Sequence, residues 1–187
     1  MENTQYRFII AGSLILVILG VGAWWYTSAP DMYPFELATG ESISSWDFKG
    51  VYTGNSELEQ RGKEEITRLM GLFGQEGYTD YELYVSIANQ YDLLGNGRKE
   101  YDYLRMALAV DAEHTGLAWH NMGKLLERFG AYQSARIAYD AMVEAQPILQ
   151  YQSVRVEFLK MYMPEDTEAT KRAENQLSGT AGEFIVE

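Results

Sequence analysis

Cysteine is absent from the 187-residue chain. This excludes disulfides, thiolate nucleophiles and Cys-based zinc sites together. Histidine is nearly as scarce. His114 and His120 are the only two; they stand six apart, off any common helical face, with no HExxH pattern around them. Metal ligation has no support. Only four prolines occur, while Ala, Leu, Glu and Tyr are frequent, so helices are favoured over a sheet-rich fold. Positive charge is the remaining shortage. Fifteen Lys and Arg face 27 Asp and Glu, for a net charge of −12. Glu2 and Arg7 cancel, so the excess falls on residues 28–187. That surface repels nucleic-acid phosphates and offers no basic patch to anionic lipid heads.

Catalytic motifs are missing too. None of the 17 glycines forms a GxGxxG or GxxxxGK[ST] loop after a strand. Leu94-Gly95-Asn96-Gly97 reads as an inter-helix turn, with Asn and Gly supplying the positive φ. Asp92, Glu100 and Asp102 are acids that nothing fixes around a pocket, and no Ser-His-Asp grouping stands out. The expectation is no enzyme, no cofactor, no small-molecule substrate and no nucleic-acid partner.

What is present begins with Phe8–Tyr26, FIIAGSLILVILGVGAWWY, 19 residues without a charge. As a helix it spans roughly 28 Å, close to the hydrocarbon thickness of a bilayer. Trp24, Trp25 and Tyr26 gather at one end, as in an interfacial aromatic belt. The nearest cleavage site, Thr27-Ser28-Ala29, is followed directly by Pro30, which disfavours a cleaved signal. Residues 1–27 are expected to be a cytoplasmic tip and a single-pass membrane anchor. Arg7 on the N-terminal side places the N-terminus in the cytoplasm and the helical domain outside the cell membrane.

Residues 28–56 hold Pro30, Pro34, Gly40, Gly50 and Gly54 and keep no helical period. Tyr33, Phe35, Ile43, Trp46, Phe48, Val51 and Tyr52 are too apolar for a floating linker. An arm covering the first helix is expected, in preference to a ligand-binding loop at Trp46–Gly50.

From residue 57 the pattern turns helical. Leu58, Ile66, Leu69, Met70, Leu72 and Phe73 make one apolar stripe. Sliding the chain by 35 residues then aligns Tyr84 with Trp119, Ile87 with Met122, Ala88 with Gly123, Gly95 with Gly130 and Ala107 with Met142. Trp119-x-x-Met122-Gly123-x-x-Leu126, Gly130-x-Tyr132, Ala135-x-x-x-Tyr139 and Pro147 resemble the pattern of the tetratricopeptide repeat (TPR) family. The first unit is looser, with Glu100 where the family prefers Ala and Ala112 where it prefers Pro. The fold class expected is all-α: an N-terminal transmembrane helix and a TPR-like helical-hairpin solenoid over 57–178. Its units fall at 81–114 and 116–149, with a partial third at 148–163, a capping helix at 164–178 and a tail at 179–187.

The resemblance implies a concave groove lined by first-helix positions. These are Glu82, Val85, Ser86, Asn89, Asp92 and Leu93, then Leu117, His120, Asn121, Lys124, Glu127 and Arg128, then Gln152, Arg155 and Val156. In TPR domains that grip a peptide's C-terminal carboxylate, two asparagines hold the peptide backbone. Asn89 and Asn121 match them, while Val85 and Val156 replace clamp cations. A peptide-binding set of Asn89, His120, Asn121, Lys124, Arg128 and Arg155 is implied, with a protein or peptide as partner and the last three cations drawing its carboxylates. The expected function is a membrane-anchored scaffold. The alternative is a structural subunit of an envelope or surface assembly of secretion or pilus type. A type IV pilin itself is disfavoured, because Gly12–Leu16 lacks the glutamate expected there. A polar groove favours transient binding, and a large apolar one permanent assembly.

Overall fold

The computed structural model describes residues 30–183. The expected anchor, Phe8–Tyr26, lies outside the described residues. Among the described helices none is long and apolar enough to cross a membrane. From Met32 the chain forms one unit. Its described residues are all-helical, without a named strand: α1 (Ser56–Met70), α2 (Asp80–Leu94), α3 (Gly97–Val110), α4 (Leu117–Arg128), α5 (Tyr132–Ala145), α6 (Leu149–Tyr162) and α7 (Thr167–Glu183).

Local chemistry sets most boundaries. Asn55 caps α1 by accepting from the Leu58 N–H at 3.2 Å. Thr79 and Glu82 form a reciprocal capping box at the start of α2. Gly95, at φ 78°, ends α2, and Asn96 at once caps α3 by accepting from the Lys99 N–H. Asn96 itself keeps a negative φ of −102°, so the glycine alone supplies the left-handed step. So short a turn makes α2 and α3 an antiparallel hairpin. Gly130, at φ 72°, marks the same reversal between α4 and α5. Pro147 falls just outside α6, ahead of its N-cap Ile148, rather than at the first helical position.

The hairpins α2/α3, α4/α5 and α6/α7 stack in chain order, with α1 against α2. Ile66 and Leu69 of α1 pack on Leu83 and Ile87 of α2, while the larger core runs from α2 to α7. Gly123 lets α4 lie close to α5, since a Cβ there would sit 2.5 Å from the Tyr139 ring. Helix α7 runs past residue 178 to Glu183 and is the full partner of α6, so the third unit is a whole hairpin.

The arm reaches the first helix at its end, where the Tyr52 ring lies over Gly62 of α1. Most of its length crosses α3, α4 and the start of α5. Tyr33 and Phe35 pack on Trp119, with ring centroids at 5.3 and 5.9 Å. Trp46 packs on Tyr101 and Phe129, and Phe48 on Phe129. From Trp46 to Gly50 the side chains alternate inward and outward, as an extended chain does. These rings are therefore core, not a ligand loop. Tyr101 donates its hydroxyl proton to the Phe35 carbonyl at 2.8 Å, and Arg105 donates to the Tyr33 carbonyl at 2.6 Å. Helix α5 has no cap of its own at Ala131. Glu41 of the arm fills that role by accepting from the Gln133 and Ser134 N–H groups at 2.7 and 2.9 Å.

Trp119 is 4% exposed and donates its indole N–H to the Ala112 carbonyl. Trp119→Ala is expected to cost about 3–5 kcal/mol, and Gly123→Leu about 1–3 kcal/mol through overpacking on Tyr139. Thermal melts monitored by circular dichroism check both; unmoved midpoints would mean that the α4/α5 packing is not as described.

Candidate functional site

Asn89 on α2 and Asn121 on α4 are brought together. The Asn121 side-chain amide donates to Asn89 Oδ1 at 2.9 Å, although the two stand on different hairpins. One turn further along α2 and two turns further along α4, Arg128 Nη1 reaches Asp92 Oδ1 at 2.6 Å. With Lys124 and Glu100 these residues line a small polar cleft of about 80 Å³. It shares Asn89 with a larger cleft of about 600 Å³, where Glu65 and Arg68 of α1 face Tyr78, Glu82 and Ser86. Together they make a track beside α2 that is polar in the inner cleft and mixed in the outer one, where Leu69, Tyr78 and Leu83 also line the wall.

Four of the six sequence-predicted site residues thus converge: Asn89, Asn121, Lys124 and Arg128. His120 does not line the cleft. It leans on Tyr151 of α6 at 5.7 Å, and burial, helped by Lys124, holds its imidazole below its usual pKa. Arg155 points elsewhere, donating to Gln176 of α7 at 2.7 Å with Asp140 of α5 at 3.6 Å. The repeat phase carried onto α6 is off: Gln152 is fully buried and donates to Thr180 of α7, and Val156 is buried too. That side of α6 is the contact with α7, not a groove wall. Val85 is likewise core, at 4% exposure. The expected strip of three attracting cations does not form, because Arg128 and Arg155 are already matched by carboxylates.

The residue that sequence reasoning passed over is Glu100. It departs from the repeat pattern at a position that prefers Ala, and that was its signal. Its side chain is 6% exposed, and Oε2 has no hydrogen-bond partner. Arg128 Nη1 stands 3.9 Å away, already engaged with Asp92. Burial first, then the Asp92 charge, push the Glu100 carboxyl up to about 8, against the pull of Arg128 and Lys124. Phe48 from the arm closes the rear of the site, with the Arg128 guanidinium 4.0 Å above its ring.

The linkage has a definite sign. The folded chain keeps Glu100 protonated up to about pH 8, while the unfolded chain ionises it near 4.5. Stability contributed by the protonated carboxyl is complete below pH 4.5 and is lost as pH rises toward 8. Glu100→Gln, which keeps the shape without the charge, should stabilise the fold by ~1–3 kcal/mol at pH 7 to 8. The gain should vanish near pH 4. Denaturant titrations of both proteins across this range provide the check.

Comparison of the chain with protein-family models, with curated proteins and with solved structures finds no match.

Proposed function

We propose that the helical body is a TPR-like interaction module that takes a segment of a partner protein along the track beside α2, and that Phe8–Tyr26 tethers it to a membrane. The observation carrying this reading is the Asn121–Asn89 bridge at the junction of the two clefts. It leaves the Asn89 amide as a donor and the Asn121 carbonyl as an acceptor, the pair that an extended backbone requires. Hydrogen bonds to both kinds of backbone group fix a segment's direction without selecting its sequence. The tether would hold the module near other membrane proteins and raise the encounter rate.

Polarity favours transient capture over permanent assembly. Asn, Asp, Glu, Lys and Arg line the inner cleft, whereas obligate subunit contacts are rich in apolar side chains. No reaction is assigned.

Affinity capture with the intact, detergent-solubilised protein, read by mass spectrometry, identifies the partner. The variant carrying Asn89→Ala and Asn121→Ala should then lose at least tenfold in affinity with a melting midpoint within about 2 °C of the parent, since the bridge is exposed and small. Undiminished binding, or a variant that unfolds, would make the asparagines structural and end the groove reading. Alkaline extraction tests the tether: the full chain should stay with the membrane fraction.

A further inference from the structure

We propose that the inner cleft is a receptor for a primary ammonium group, the side chain of a lysine on the partner, with Glu100 as its counter-ion. The inference rests on the groove reading and specifies which chemistry the groove selects.

Glu100 lines the cleft with its inner oxygen, Oε2, buried and without a hydrogen-bond partner, and Asn121 Oδ1 and Asp92 Oδ2 accept no hydrogen bond among the described residues. An ammonium carries three N–H donors and no acceptor. A volume of about 80 Å³ suits so compact a head. Glu100 is the decisive member. More than nine-tenths of its side chain is buried, and its inner oxygen is unmet. A buried carboxyl left unpaired is costly, and an entering cation would supply what the fold withholds.

The surrounding charges have to permit this. Asp92 of α2 and Arg128 of α4 neutralise each other at 2.6 Å. Lys124 of α4 opposes a cation, but it is exposed, has no ion pair among the described residues and sits on a flexible stem. The chain as a whole carries −12, so a basic partner is drawn to it. A carboxylate ligand would meet Asp92 and the unshielded Glu100 oxygen instead.

Proton linkage gives the proposal a signature. A cation binds the ionised carboxyl, so Glu100 must release its proton when the lysine enters. Affinity is full above pH 8 and falls by about tenfold per pH unit below it. An anion bound through the protonated carboxyl would show the opposite slope.

The test is a titration of the intact, detergent-solubilised protein, followed through the Glu100 carboxyl carbon by NMR. The probes are acetyl-Gly-Lys-Gly-amide, the same peptide with the lysine side chain acetylated, acetyl-Gly-Glu-Gly-amide, and putrescine as a free amine. The lysine peptide should bind at pH 8.5, weaken roughly eightfold by pH 7, and lower the Glu100 pKa as it saturates. Acetylation should abolish the response, and Glu100→Gln, a variant expected to fold at least as well as the parent, should abolish binding of the lysine peptide followed by calorimetry. Preference for the glutamate peptide, affinity that rises on acidification, equal binding of the acetylated peptide, binding of putrescine alone, or no response from any probe would overturn the proposal. If the lysine peptide fails while the partner is still lost from the double asparagine variant, this inference falls and the groove reading stands.

Discussion

The backbone contact between the arm and the α2/α3 turn holds the site in register. Phe48 donates its N–H to the Gly95 carbonyl at 3.1 Å, Gly97 donates to the Trp46 carbonyl at 2.8 Å, and Tyr52 donates to the Leu93 carbonyl at 2.8 Å. The chains can come this close because both meeting points are glycine. A Cβ on Gly50 would collide with the Gly95 nitrogen and the Leu93 oxygen, and one on Gly95 would collide with the Phe48 carbonyl. The contact sets Phe48 beneath Arg128, and Arg128 then reaches both Asp92 and Glu100. An arm lying outside the repeats thus fixes the orientation of a side chain within them.

Glu100 follows from that arrangement. It stands one turn into α3, buried against the neighbouring helices. A carboxyl there has to be neutral, paired or strained. The fold meets it only in part, with a guanidinium at 3.9 Å that is shared with Asp92. Structural ion pairs are normally brought closer than this. Other buried polar atoms, such as Thr115 Oγ1 and Gln152 Oε1, also lack a hydrogen-bond partner; what distinguishes Glu100 is that its carboxyl lines the cleft beside Asn89 and Asn121.

The helical hairpins were legible because their constraints are local and periodic. Gly95 and Gly130 end helices by a left-handed step, Thr79 and Glu82 announce one, and the 35-residue offset pairs residues that lie in equivalent places. The groove positions that the TPR resemblance implies place Asn89 and Asn121 on one wall, and their side chains are in contact. The course of the arm was not legible. Its contacts reach across as many as 96 residues, as between Ala38 and Ser134, and an extended segment carries no period to show which helix it crosses. Arg155 was misplaced for a related reason. The repeat marks are absent after Pro147, so the phase of α6 had no anchor, and a small rotation turned its supposed groove side onto α7. Met70 shows the same limit within one helix: it belongs to the apolar stripe of α1 yet stays 44% exposed.

Arg128 cannot serve both the arm and an incoming carboxylate without loosening one of them. Its guanidinium is stacked on Phe48 on one side and bonded to Asp92 on another. Pulling it outward would forfeit the cation–π contact and leave two acids, one of them buried, without their cation. The proposed ammonium would leave the Arg128–Asp92 pair in place, since it approaches the free face of Asp92 and the Glu100 carboxyl that lines the cleft and displaces the exposed Lys124 head. Of the two signs of ligand charge, the positive one disturbs fewer existing interactions, and the reason lies in the arm as much as in the cleft.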